Sequence, residues 1–231
     1  MIFNPINYDS MKYSSTTILL ALIPALVAAR PHVPLPSLQE QGFTQLFDGK
    51  TFEGWEGNLD FFRISDGAVV AGMLDKKIPR NEFLVTKKEY RDFELHFEAK
   101  LLGEGNNAGV QFWSQRIPDH HEMKGYQCDI GGWSKGSIWG FLYDESRRRK
   151  MLAEVPEEIL AKHTNPKGEW NALRVRAEGC HIQIWLNGFK TVDYNEPEPA
   201  KDIPRHGRFG LQIHSGPPAE CWYRGIWIKP L

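Results

Sequence analysis

Apolar and polar side chains alternate with a period of two along most of the chain. In Asp92-Phe93-Glu94-Leu95-His96-Phe97-Glu98-Ala99-Lys100-Leu101, one set is Phe93, Leu95, Phe97, Ala99 and Leu101, and the polar residues form the other. Successive strand side chains point to opposite faces, so this pattern predicts a half-buried antiparallel strand. Residues 180–186 alternate in the same way, and Asn187-Gly188 then marks a tight hairpin into 189–194. Residues 171–177, 208–214 and 221–228 extend the C-terminal set, and 108–114, 126–131 and 139–145 predict three more strands. The one helical stretch is short, over 154–163, with Pro156 near its first turn. So many short strands with almost no helix predict an all-β sandwich or barrel.

The N-terminus follows another pattern. An apolar run over 18–27 stands behind Lys12, and Val27-Ala28-Ala29 closes it with small residues. This predicts a secretory signal peptide over 1–29, with Met11, directly before Lys12, as the true start. The run is too short to span a bilayer core of ~30 Å as a helix, although a membrane anchor is the alternative. The expectation is a secreted or periplasmic protein with no stable membrane span after cleavage. A proline-containing leader without regular structure covers 30–41, and a single domain covers 42–231.

Composition narrows the partners. Lys plus Arg is 28 against 29 for Asp plus Glu, a net charge of -1, which argues against non-specific nucleic-acid binding. Cys128, Cys180 and Cys221 have no CxxC spacing, so a cysteine zinc site is not expected. They read as buried small apolar side chains, with at most one disulfide among them. Eight Trp and seven Tyr suit both a packed β core and flat, sugar-like ligands. Trp113, Trp133, Trp139 and Trp185 are the candidates for stacking on a sugar ring.

The alternation also singles out one polar face. Over 108–113, Val110 and Phe112 point one way, and Gly109, Gln111 and Trp113 the other. Over 125–131, Tyr126, Cys128 and Ile130 oppose Gln127 and Asp129. Over 209–214, Phe209, Leu211 and Ile213 oppose Gln212 and His214. Tyr143 and Glu145 share a face with Asp144 opposite, and the pattern leaves open which of Glu145 and Asp144 joins the others. Amides, a carboxylate and an imidazole suit a hydrogen-bonding ligand; the competing expectation is an ordinary solvated sheet face. Asp119-His120-His121-Glu122 carries metal-ligand residue types on a loop, with His121 alternatively at a pocket rim. No Gly-rich phosphate loop and no G-x-S-x-G nucleophile elbow is present.

The order of several segments resembles a known family. They are 42–50 with Gly54-Trp55, Asp66-Gly67-Ala68-Val69, 82–95, 106–112, 125–131, Leu142-Tyr143-Asp144-Glu145 and 207–218. Together they resemble the 3-keto-disaccharide hydrolase domain family, from about Gly42 to Leu231. The resemblance implies a concanavalin-like jelly-roll β-sandwich of two antiparallel sheets. It also implies an exported enzyme acting on glycosides oxidised to a ketone at C3. Such a ketone makes the C2 hydrogen acidic, so a base can form an enolate and the group on C1 can leave. His214 suits the base, because imidazole titrates near neutrality. Asp129 or Glu145 suits the acid or base, and Arg148 or Arg149, in the Arg147–Arg149 run, the stabiliser of the enolate. Asn107, Gln111, Trp113, Gln127, Tyr143, Asp144, Arg149 and Gln212 are expected to bind substrate. Direct hydrolysis by two carboxylates is the competing mechanism. No cofactor is required by these residues, although a divalent metal held through Asp129 and His214 is an option. The alternative functions are a non-catalytic carbohydrate-binding module and a scaffold domain without a concave pocket.

Overall fold

The computed structural model describes residues 37–133, 136–197 and 203–231. The expected signal peptide, the start at Met11 and most of the leader lie outside the described residues. Among the described residues no helix is long and apolar enough to cross a membrane.

The strands follow in chain order as β1 (Thr44–Gln45), β2 (Trp55–Glu56), β3 (Phe62–Ser65), β4 (Ala68–Met73), β5 (Glu82–Thr86), β6 (Phe93–Gly103), β7 (Asn107–Arg116) and β8 (Met123–Trp133). Then come β9 (Gly136–Ser137), β10 (Leu142–Glu145), β11 (Lys150–Ala153), the helix α1 (Glu157–His163), β12 (Asn171–Glu178), β13 (His181–Leu186), β14 (Phe189–Asn195), β15 (Arg208–Ile213) and β16 (Ala219–Pro230). One sheet runs β14-β13-β12-β6-β16-β4-β3, with β1 beside β16. The other runs β11-β10-β8-β7-β15-β5-β2, with β9 beside β8. The last two strands are inserted late in the chain but sit centrally, β16 between β6 and β4 and β15 between β7 and β5. Every pairing is antiparallel, and the architecture is the jelly-roll sandwich the sequence predicts.

The core is the meeting of the two inner faces. Phe93, Leu95 and Phe97 of β6 oppose Val110 and Phe112 of β7 and Tyr126 and Cys128 of β8, all buried in one cluster. In β6 burial alternates residue by residue, as expected of a strand with one wet side. In β7 and β8 it does not, because their outward residues are buried too. Cys128 and Cys221 are buried, Cys180 is half-buried, and all three are free thiols.

Three local differences from the expected elements have physical causes. The strand expected over 139–145 begins only at Leu142. Gly140 adopts φ 69 in a turn whose amide bonds back to the Asp129 carbonyl, and Trp139 packs into the core. The helix begins at Glu157, directly after Pro156. The third difference matters most. The register of β7 shifts between Phe112 and Gln115, and Trp113 takes φ 48. This bulge reverses the pleat, so Trp113 points into the core instead of sharing the face of Gln111. Its ring packs edge-on to Phe93, Phe112 and Tyr126, and its Nε1 donates to the Arg91 carbonyl at 2.6 Å. Trp113 is therefore a core residue, not a sugar-stacking one.

Trp113→Ala should lower unfolding stability by about 3–5 kcal/mol, the usual cost of deleting a buried indole. Chemical denaturation measures this, and an unchanged midpoint would contradict the placement.

Candidate active site

Register places the polar side chains in rows across the second sheet. Tyr143, Gln127 and Gln111 are successive cross-strand partners on β10, β8 and β7. In the next row Asp129 faces Gly109, which faces Gln212 of β15, and Gln212 faces Phe83 of β5. Asn107 starts β7, and its carbonyl accepts the amide of His214 at 3.2 Å. This face is not a solvated one. Gln111 and Gln212 are 0% exposed, Asp129 1% and Gln127 2%.

Gly109 makes the row possible. A Cβ there would lie 2.6–2.8 Å from Cδ, Cγ and Nε2 of Gln127, so Gln127 occupies the space a side chain would need. From there its Nε2 donates to Asp129 Oδ1 at 2.8 Å and to Gln212 Oε1 at 3.3 Å. Gln212 passes the contact on, its Nε2 donating to Glu145 Oε2 at 3.4 Å. Glu145 Oε1 accepts from the Ser146 amide at 3.0 Å and hydroxyl at 3.2 Å. The Ser146 hydroxyl also reaches Glu122 Oε2, and Glu122 Oε1 accepts from Asn81 Nδ2 at 3.0 Å. Asn81 Oδ1 in turn accepts the Ser215 amide at 2.8 Å, closing a ring at the residue after His214.

The same face borders a cavity of about 360 Å³, lined by Asn107, Gln127, Asp129, Trp133, Tyr143, Glu145 and His214. Three polar atoms of its lining residues have no hydrogen-bond partner among the described residues, Asn107 Oδ1, Gln127 Oε1 and Asp129 Oδ2, and both amide atoms of Gln111, beside Gln127 on the sheet, lack one too. Buried polar atoms left unpaired cost about 1–3 kcal/mol each, so such a cluster is the mark of a place built for a polar ligand or water.

The electrostatics separate the titratable groups. Burial holds the Asp129 carboxyl well above the usual carboxylate range, the charge of Glu145 adds to this, and the Gln127 hydrogen bond opposes it. Glu145 is also raised, by burial and then by the charge of Glu122, against the pull of Ser146, Gln212 and His214. The Tyr143 phenol is raised by burial and by the charges of Glu145 and Asp129, while Arg149 lowers it. His214 Nδ1 lies 2.8 Å from the Ser215 carbonyl, which can only accept, so Nδ1 carries a hydrogen and the lone pair of the neutral ring is on Nε2.

The structure thus brings together Asn107, Gln111, Gln127, Asp129, Tyr143, Glu145, Gln212 and His214, with Arg149 close enough to act on Tyr143. It does not bring in Asp144 or Arg148. Asp144 points from β10 to the opposite face, is fully buried, and binds Arg147 at 2.8 Å and Arg148. Arg148 also forks onto Glu196 at 2.7 and 2.9 Å and lies over the Tyr126 ring, so its guanidinium is committed behind the sheet. Trp185 stacks under Arg174 on the other sheet, and Trp133 alone of the four candidate tryptophans lines the cavity. In the 119–122 loop the His120 and His121 rings stack at 4.3 Å. Among the described residues no group of three or more His, Cys, Asp or Glu is placed to hold a metal ion. Sequence reasoning missed the hydrogen-bonded chain of Asn81, Glu122 and Ser146 that links Glu145 to Ser215. The only signal for it was the cluster of polar types at 119–122.

A family model described as a 3-keto-alpha-glucoside-1,2-lyase-like domain matches residues 42–229. No match was found among curated proteins. Three solved structures illustrate the fold. A candidate glycosyl hydrolase from Parabacteroides distasonis ATCC 8503 is 20% identical with a TM-score of 0.63, over 85% of this chain and 98% of that one. The carbohydrate-binding module CBM66 from Bacillus subtilis is 14% identical with a TM-score of 0.54, over 75% and 93%. An alginate lyase in complex with alginate tetrasaccharide is 13% identical with a TM-score of 0.54, over 78% and 88%. At these identities the likeness is one of fold.

The raised Asp129 carboxyl makes a prediction about stability. A carboxyl raised in the native state keeps its proton there after the unfolded chain has lost its own near pH 4. Its contribution is therefore fully present below that pH and is lost as pH rises toward the folded value. Asp129→Asn removes this penalty, so the variant should gain stability over the wild type progressively above about pH 4. Denaturant unfolding from pH 4 to 8 measures the difference; a gap independent of pH would contradict the protonated assignment.

Proposed function

The chain belongs to the 3-keto-alpha-glucoside-1,2-lyase-like domain family, and on that premise we propose that it cleaves 3-keto-glycosides by base-catalysed elimination followed by addition of water. The observation that carries this reading is the convergence of Asp129, Tyr143, Glu145 and His214 on one small cavity floored by unpaired amides.

Each group has one task. His214 Nε2 takes the proton from C2, and the electron pair moves onto the C3 oxygen as an enolate. The Tyr143 hydroxyl donates to that oxygen, its proton retained because burial and then the charge of Glu145 raise its pKa. Glu145, on the same cavity, stabilises the imidazolium that forms once His214 has taken the proton. The enolate then collapses: the C3 carbonyl reforms, a C1–C2 double bond forms, and the C1–O bond breaks. Asp129 gives its proton to the departing oxygen, a role suited to a carboxyl kept neutral by burial. Water adds across the double bond, and the proton on His214 returns through water to Asp129. Asn107 and Gln127, which line the cavity, hold the sugar hydroxyls, and the buried Gln111 and Gln212 back them from the same face. Arg149 replaces Arg148 as the cation at the edge of the site, because Arg148 is bound to Asp144 and Glu196. Export through the N-terminal segment is part of the same proposal, and would present the site to extracytoplasmic glycosides.

Matched native and 3-keto glucosides separate this reading from its rivals. The protein should release product from the oxidised substrate only, and His214→Ala and Asp129→Asn should each lower turnover by roughly 10²–10⁴-fold. Equal turnover of the unoxidised glycoside, or wild-type turnover by both variants, would contradict the assignment. Binding without turnover on either substrate would favour the carbohydrate-binding alternative.

A further inference from the structure

A second cavity of about 540 Å³ adjoins the first and shares Trp133 as a wall. Its lining is of another kind. Trp133, Ile138, Phe141, Met151, Val155 and Pro156 supply apolar surface, and the charged side chains are two carboxylates, Glu154 and Glu157. The two cavities lie side by side along the sheet. Met151 of β11 is the cross-strand partner of Tyr143, and Tyr143 of Gln127, so the row that floors the site runs on into the apolar cavity. The Trp133 ring stands at 90° to Tyr143 with centroids 5.4 Å apart, forming the partition between them. Trp133 remains 42% exposed, an unusual state for a large indole placed between two pockets.

We propose that this cavity is the subsite for the group attached at C1, and that it selects an uncharged, hydroxylated aromatic aglycone over a second sugar. The proposal rests on the elimination chemistry assigned to the neighbouring cavity. A sugar ring is edged with hydroxyls, each of which loses a water partner on burial and needs a donor or acceptor in return. Six apolar walls offer few such partners, whereas an aromatic ring against an indole, a phenylalanine and a methionine loses nothing by leaving water. Glu154 and Glu157 can only accept hydrogen bonds while ionised, which suits phenolic hydroxyls and repels anions. The volume lies within the range of small-molecule sites. A stacked aryl group also makes a good leaving group, since a phenol departs more readily than an alcohol.

The test separates the cavity from the catalysis. Calorimetric titration with 4-phenylphenol alone should show binding in the wild type and equally in His214→Ala, whose change lies in the other cavity. The anionic analogue 4-phenylbenzoate and the disaccharide maltose should bind at least 10-fold more weakly. Val155→Asp, on the loop before α1, should weaken 4-phenylphenol binding by 10-fold or more while circular dichroism keeps the wild-type strand signature. Met151→Gln is the second variant, with the same expectation should Val155→Asp fold poorly. In turnover, the 3-keto biphenyl glucoside should exceed a 3-keto disaccharide by 10-fold or more in kcat/KM, and Val155→Asp should remove that advantage. Turnover of 3-keto glycosides with no 4-phenylphenol binding and no aryl preference would overturn the subsite and leave the catalytic reading standing. Binding of 4-phenylphenol with no turnover of any glycoside would overturn its leaving-group role.

Discussion

The site depends on a side chain that lies where another is missing. Gln127 crosses β7 above Gly109, and its amide donates to both Asp129 and Gln212. Any residue larger than glycine at 109 would place a Cβ within 2.6–2.8 Å of that side chain, far inside van der Waals contact. The carboxyl on β8, the amide on β15 and, through it, the carboxyl on β10 are thereby linked across three neighbouring pairs of strands. A buried amide held in this way fixes geometry more firmly than it adds stability, because each hydrogen bond contributes only about 0.5–1.5 kcal/mol net. The same spot is fixed from beneath. Tyr223 of β16 reaches through the core, and its hydroxyl donates to the Gln212 carbonyl at 2.5 Å and approaches that of Gly109 at 3.2 Å.

The pleat of β10 divides its acidic residues between two tasks. Asp144 faces inward and fastens the β10–β11 turn through Arg147 and Arg148, with Glu196 completing the Arg148 pair. Glu145, one residue on, faces the cavity with no cation in direct contact among the described residues and with its pKa raised, chiefly by burial. A buried ion cluster behind the sheet is expensive to assemble, and breaking it by removing one partner is more expensive still. Its position directly behind a cavity carboxyl suits a role in holding β10 in register. The site is thus polar on one face, ionic behind, and joined to an apolar cavity at its edge.

Period-two alternation was sufficient to place Gln111, Gln127, Asp129 and Gln212 on one face, because those strands are regular where these residues stand, and His214, directly after β15, joins them at the cavity. It failed at Trp113 because a bulge reversed the pleat, and nothing in Phe112-Trp113-Ser114 announces an extra residue. It left Asp144 and Glu145 undecided, since a four-residue strand flanked by turns offers too little pattern to set a phase. Arg148 was mistaken for a site cation because a basic run carries no direction of its own; direction came from the partners Asp144 and Glu196, the second of them 48 positions away. The hydrogen-bonded chain of Asn81, Glu122 and Ser146 was illegible for a similar reason. It is assembled from three loops whose proximity arises only when the sheet has formed. The fold was legible from many independent strands, each able to tolerate a local error, whereas the site required every phase to be right.

The central claim is that chemistry begins at C2, with a proton removed by His214. Turnover of a 3-keto glucoside in deuterium oxide tests it most directly, with an enzyme-free sample correcting for spontaneous exchange. Elimination requires that the released sugar lose its original C2 hydrogen, so the product should carry a solvent-derived deuterium at C2 or remain unsaturated there. Complete retention of the original hydrogen through turnover would contradict the account.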